Sequence, residues 1–220
     1  MGKQLILGLK FWGGKRKGAG RKSKNGSAGI PHRLREKMTR HTPAHVTLKL
    51  RRSRADLRSR SIYPHVERAL TASSERESFR LIHFSVQHDH VHLICEADDN
   101  DALSSGIRAL TIRIARRVNK VLGGRGRLFK DRYHLRLLRT PPDARAAVAY
   151  VLGNGRKHLL QIGCEVSEAW VDPCCSSASL GGGERAVALP AAQSWLLSEA
   201  SQIIAQSSST RASTRSSELT

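Results

Sequence analysis

Apolar and polar residues alternate along four short stretches of the chain and recur at helical steps along three longer ones. The first alternation is His45-Val46-Thr47-Leu48-Lys49-Leu50, with Val46, Leu48 and Leu50 set against Thr47 and Lys49. That period of two predicts a strand with one buried face. A helix is predicted over 62–72, with Val66, Ala69 and Leu70 on one side. Two β-rich runs follow, 80–86 and 90–96, joined by a tight connection at His88-Asp89. Across 101–122, Leu103, Ile107, Leu110, Ile114, Val118 and Val121 fall three and four apart, which is one apolar helical stripe ended by Gly123-Gly124. A fourth strand is predicted over 128–138, with Tyr133, Leu135 and Leu137 on one face and Arg132, His134 and Arg136 on the other. Thr140-Pro141-Pro142-Asp143 then opens a last helix, which the glycines of Gly153-Asn154-Gly155 are expected to stop after Leu152.

The order is strand, helix, strand, strand, helix, strand, helix. The first six elements match an α+β, ferredoxin-like split βαβ fold: an antiparallel sheet with helices on one face. The seventh is an appended C-terminal helix that carries Tyr150. The pattern divides the chain into a basic Gly/Lys/Arg-rich flexible segment (1–42), the folded domain (43–160) and an irregular, largely disordered tail (161–220).

Charge changes the picture more than any other bulk property. The chain carries 38 Lys+Arg against 18 Asp+Glu, a net +20. Such a surplus favours polyanionic partners, nucleic acid first. Residues 1–42 alone hold twelve Lys/Arg and one acid, Glu36. Lys15, Arg16, Lys17, Arg21 and Lys22 lie among glycines, a flexible arrangement suited to following DNA phosphates; Arg132 and Arg136 add basic positions on the fourth strand. No stretch approaches the roughly 18 apolar residues that span a bilayer, so no membrane partner is expected. The apolar run Leu5 to Leu9 is too short for a signal-peptide core. Cys95, Cys164, Cys174 and Cys175 show no C-x-x-C spacing and read as reduced thiols. The expected location is cytoplasmic, in association with the nucleoid.

The candidate chemistry centres on His90-Val91-His92. Strand alternation puts His90, His92 and Ile94 on one face and Val91, Leu93 and Cys95 on the core face. Two imidazoles side by side suit one metal ion. With an amide or carboxylate oxygen they would hold Mg²⁺ or Mn²⁺ and leave positions for phosphate and water. Asn154 supplies such an oxygen one helical turn from Tyr150. His88 is a second candidate donor if the strand starts early, although the turn reading takes it elsewhere. A phenol at Tyr150, helped by a cation that polarises a phosphate oxygen, can attack a phosphodiester and become linked to a DNA end. Tyr63 and Tyr133 read as structural.

These residues resemble a known group. Asp89-His90-Val91-His92-Leu93, the segment from Gly126 through Leu128-Phe129 to Arg132-Tyr133-His134, and Tyr150-Val151-Leu152-Gly153-Asn154-Gly155 occur in the order found in REP-associated tyrosine transposases, which are single-tyrosine HUH endonucleases of the IS200-like superfamily. The resemblance spans roughly 43–160. Gly155 departs from it, standing where a proline is usual. The resemblance implies a divalent-metal-dependent enzyme that cleaves and rejoins single-stranded or hairpin DNA through a 5′-phosphotyrosine intermediate, often as a homodimer. The alternative readings are a non-catalytic ferredoxin-like nucleic-acid-binding protein, which would want more aromatic stacking residues than 5% of the chain provides, and an inactive transposase relative.

Overall fold

Strand β1 (Ala44–Lys49) buries Ala44, Val46 and Leu48 and turns His45, Thr47 and Lys49 to the opposite side. The same alternation runs along β4 (His90–Ala97) and, after an irregular register between Leu81 and His83, along β3 (Phe79–Val86). The computed structural model describes residues 35–51, 55–130, 132–167, 170–179 and 188–203. The chain divides into a short unit, Met1–Arg35, and a main unit, Glu36–Thr220; the fold below is that of the second.

The main unit runs β1, α1 (Tyr63–Thr71), β2 (Glu75–Arg76), β3, β4, α2 (Asn100–Val121), β5 (His134–Leu137) and α3 (Pro141–Gln161). The sheet order is β2-β3-β4-β1-β5 and every pairing is antiparallel. Apart from the two-residue β2, this is the ferredoxin-like split βαβ arrangement. Helix α2 starts where the Asp99 carboxylate accepts from the backbone N–H groups of Asp101 and Ala102. Its stripe Leu103, Ile107, Leu110, Ile114 and Val118 packs with α1 on Val46, Leu48, Phe84, Val91 and Leu93. Gly106 is required there, because a Cβ at that position would overlap the Phe79 ring.

The opposite face has its own apolar cluster. Ile82 and Ile94 from the sheet meet Ala144, Ala147, Val148 and Val151 of α3, with Leu197 and Ala200 from a helical segment at 195–203. Helix α3 therefore lies across the face that carries His90 and His92. Among the described residues no helix is long and apolar enough to cross a membrane.

Three expectations differ from the structure. Helix α3 does not stop at Gly153-Asn154-Gly155 but continues to Gln161, and Gly163, at φ 81°, sits just past its end. Tertiary contact outweighs glycine's poor helix propensity: Asn154 and Gly155 are buried, and the Asp172 carboxylate occupies the space a side chain at 155 would need. The strand expected over 128–138 keeps only His134–Leu137. Phe129 bridges Leu50 two residues out of register with the β1–β5 ladder, so the two pairings do not form one continuous strand. The stretch 161–220, expected to be irregular, contains built structure. Cys174 O accepts from Val86 N, Cys175 bridges Ser85, and Ser176 Oγ accepts from Phe84 N. The buried Glu96 carboxylate accepts from Gln193 N and Ser194 N and pairs with Arg80 at 2.8 Å, which anchors the start of the 195–203 helix. The anchors at 174–176 and 193–194 are polar and leave no trace in the hydrophobic pattern, whereas the apolar run over 191–200 does mark the 195–203 helix.

Candidate active site

Four elements converge on the sheet face beneath α3. From β4 come His90 and His92, their ring centroids 4.7 Å apart and nearly perpendicular. From β1 come His45 and Thr47; Thr47 stands directly across from His92, and His45 across from Ile94. From β5, His134 stands opposite Thr47 and Arg136 opposite His45. From α3 comes Tyr150, 40% exposed, its ring 5.2 Å from that of His92 and 5.9 Å from that of His45.

His90 and His92 are each held through one nitrogen. His90 Nδ1 lies 2.7 Å from Asp89 Oδ1. His92 Nδ1 lies 3.1 Å from His45 Nε2 and 3.2 Å from Thr47 Oγ1. The other nitrogen of His92, Nε2, is buried and has no hydrogen-bond partner among the described residues. Imidazoles that ligate metals are held in this way, with a carboxylate, hydroxyl or carbonyl on the far nitrogen and a lone pair left for the ion.

Burial, more than any neighbouring charge, favours the neutral form of His92 and His45. Burial, then the neighbouring His90, His45 and His158, pull the His92 pKa down to about 3. Burial, with His134 and Arg136 behind it, pulls His45 down to about 4. The hydrogen bond to His90, with Lys49 nearby, holds the Asp89 carboxyl below the usual carboxylate range.

Asn154 lies one turn beyond Tyr150, only 2% exposed, and its Nδ2 has no partner among the described residues. One further turn along, the His158 ring comes within 6.3 Å of His90. Lys157 Nζ sits 5.9 Å from the centre of the Tyr150 ring. Among the described residues no set of three His, Cys, Asp or Glu meets as a metal cluster. Two imidazoles and an amide oxygen, were Asn154 to join His90 and His92, would be a mixture of nitrogen and hard oxygen donors of the kind that suits Mg²⁺ or Mn²⁺.

The remaining sequence candidates lie elsewhere. His88 is in the β3–β4 turn, 2.9 Å from Asp56. Arg136 is on the histidine face but pairs with Asp143 at 2.7 Å, at the start of α3. Arg132 lines a cavity of about 930 Å³ between α2 and the 126–133 segment, whose rim also carries Lys49, Arg108, Arg116, Arg127 and Lys130. Lys15, Arg16, Lys17, Arg21 and Lys22 lie outside the described residues. Tyr63 is buried and donates to Glu67, and Tyr133 hydrogen-bonds with Ser104. The sequence reading passed over His45, Thr47, Lys157 and His158. The first two occupy the non-core positions of β1 by the same alternation that selected His90 and His92, but only the β1–β4 pairing brings them to that pair. His158 stands eight residues after Tyr150, on the same helical face.

A ferredoxin-like sheet with paired strand histidines beneath a helix-borne tyrosine defines the class. Residues 40–151 match the family model described as "Transposase IS200 like", half of the chain, and the chain belongs to that family of transposases. No curated protein matches it. Among solved structures it is similar to a REP-associated tyrosine transposase bound to a REP hairpin, at 18% identity and a TM-score of 0.52, over 74% of this chain and 93% of that one. A putative transposase from Deinococcus radiodurans R1 is more distant, at 15% identity and a TM-score of 0.35, over 63% of this chain and 100% of that one.

Proposed function

We propose that the chain is a divalent-metal-dependent endonuclease and strand transferase of single-stranded DNA, with Tyr150 as nucleophile. The observation that carries this reading is the Tyr150 ring standing over His92, whose outward nitrogen is buried without a partner among the described residues. The Tyr150 oxygen attacks a backbone phosphorus. The bond to the 3′ oxygen breaks, that oxygen leaves as a hydroxyl after taking up a proton, and the 5′ phosphate stays on Tyr150. Attack by another 3′ hydroxyl reverses the step, so the phosphotyrosine keeps the bond for rejoining.

His90, His92 and the Asn154 amide oxygen would hold the cation, with Asp89 orienting the His90 ring. A bound Mg²⁺ or Mn²⁺ supplies Lewis-acid polarisation of the phosphate and aligns it for in-line displacement. Lys157, beside the nucleophile, faces the negative charge that gathers on the phosphate. Lys15, Arg16, Lys17, Arg21, Lys22, Arg132 and Arg136 contribute phosphate contacts. The solved hairpin complex of the structural neighbour supports hairpin DNA as the substrate form. A homodimer belongs to the same reading, and light scattering of the full chain checks it.

The test is a denaturing gel with labelled hairpin DNA from beside the gene, Mn²⁺, and wild type next to Tyr150→Phe. A denaturation-resistant protein–DNA band in wild type only is expected. A band that persists in Tyr150→Phe moves the nucleophile to another residue. Binding without any band makes the chain a non-catalytic binder or an inactive relative.

A further inference from the structure

We infer that His45 is a positioning residue for His92: it holds that ring through Nδ1 and selects the tautomer whose Nε2 lone pair can coordinate a metal. The inference rests on the reading of His90 and His92 as metal ligands.

A neutral imidazole carries one N–H, and the two nitrogens of His92 have different surroundings. Nδ1 faces His45 Nε2 at 3.1 Å and Thr47 Oγ1 at 3.2 Å. Nε2 faces no partner among the described residues and is buried. A proton on Nε2 would be a buried donor with no acceptor, an unfavourable state. With the proton of His45 on its own Nδ1, His45 Nε2 accepts from His92 Nδ1–H, and His92 Nε2 is then the bare nitrogen that a cation needs. The Thr47 hydroxyl rotates to donate or accept and accommodates the same tautomer.

Ring packing adds a second constraint. The His45 centroid lies 5.2 Å from His92, tilted by 39°, and 5.9 Å from Tyr150. His45 thus packs beside both the ligand ring and the tyrosine, whose own centroids lie 5.2 Å apart. Turning the His92 ring over would break the Nδ1 contact and push against His45. The β1–β4 register sets this geometry, since it pairs Thr47 with His92 and places His45 one step along on the same face. A carboxylate plays the corresponding part for His90. The two imidazoles are therefore held by different chemistry, Asp89 from the adjoining turn and His45 from the neighbouring strand.

The experiment uses the full chain. Mn²⁺ affinity is measured by calorimetry for wild type, His45→Phe, His45→Gln, Thr47→Val and His92→Ala, with urea denaturation of each in EDTA. Nitrogen-15 NMR reads the imidazole tautomer of metal-free His92. We expect the Nδ1–H tautomer in wild type and Mn²⁺ binding weaker by about 10- to 100-fold in His45→Phe. His45→Gln, whose amide oxygen can accept from Nδ1–H, should recover most of the loss, and Thr47→Val should change affinity less than His45→Phe. A His45→Phe protein that is only less stable in EDTA, with wild-type Mn²⁺ affinity, overturns the inference and makes His45 a packing residue. Should His45→Phe fail to fold, the wild-type spectrum decides, since an Nε2–H tautomer of metal-free His92 overturns it too. His92→Ala separates the two levels. Unchanged Mn²⁺ affinity there removes the metal-site reading itself, whereas lost affinity there beside normal affinity in His45→Phe removes the role of His45 alone.

Discussion

At the scale of single residues, the face beneath α3 holds polar groups that the fold tolerates at a cost. Asn154 is an almost fully buried amide whose N–H₂ has no acceptor among the described residues. A residue kept for stability would be satisfied, because a buried unpaired donor is destabilising by about 1–3 kcal/mol. Asn154→Ala should therefore leave the stability of the metal-free protein nearly unchanged, within about 1 kcal/mol, since losing the orphan donor offsets the small cavity. Mn²⁺ affinity should fall in the same variant. Urea denaturation in EDTA and calorimetry read the two effects separately; a large stability loss with normal Mn²⁺ binding would make Asn154 structural. A second residue-level prediction concerns His83, away from this site. It is buried beside Ser201 and Ser176, and burial pulls its pKa from 6.5 to about 4. The unfolded chain then binds a proton that the folded chain refuses, so stability is complete above pH 6.5 and declines as pH falls toward 4. The full contribution is on the order of 3 kcal/mol. Wild type should lose stability across that window, and His83→Phe should flatten the decline; parallel curves for the two proteins would show that His83 does not contribute.

At the scale of elements, legibility depended on which force placed each one. Strand β4 was readable, and its two faces came out as the alternation implies, because hydrophobic burial on one side sets strand register. The same alternation in β1 held His45, but a lone histidine on a polar face carries no signal until the neighbouring strand is known. The end of α3 was misread because glycine propensity is weak beside tertiary packing. The two glycines there should respond to alanine with opposite signs. Gly153 is exposed, and a Cβ at that position meets nothing within 4 Å. Gly153→Ala should stabilise the protein by roughly 0.5–1 kcal/mol, the usual difference within a helix. At Gly155 a Cβ would overlap the Asp172 carboxylate, which Arg58 holds through two hydrogen bonds of 2.7 and 2.9 Å. Because Asp172 is buried, it cannot move aside without breaking that pair. Gly155→Ala should cost about 2–4 kcal/mol. Urea midpoints of the two variants measure both, and equal effects would refute the packing explanation. Gly155 is called for because the helix passes under a carboxylate delivered from residue 172, a contact with no local trace in the sequence.

At the scale of the whole molecule, charge is the property to test, and the fold dictates where to cut. Residues 1–34 contain nine Lys/Arg and no acid. The main unit begins at Glu36. Met38 is fully buried, its N–H donates to Asn100 Oδ1, and Glu36 pairs with Arg139. A truncation through residue 42, the boundary that composition suggests, would remove part of the core and confuse lost folding with lost binding. Removing 1–34 leaves the histidine–tyrosine face and the basic rim between α2 and the 126–133 segment in place. For every phosphate that the protein no longer neutralises, the slope of log affinity against log salt falls by about 0.7 to 0.9 units. If the leading segment lies along DNA, the truncated protein should bind hairpin DNA about 10- to 100-fold more weakly at low salt, with a slope shallower by a few units. At saturating DNA it should still form the Tyr150-dependent adduct, because Tyr150 and the other groups proposed to react all lie within the main unit. Anisotropy titrations at three or more salt concentrations supply the slope. An unchanged slope would assign recognition to the folded domain and leave the leading charges without a part in DNA binding. A truncated protein that binds normally but forms no adduct would instead place a group needed for the reaction within residues 1–34.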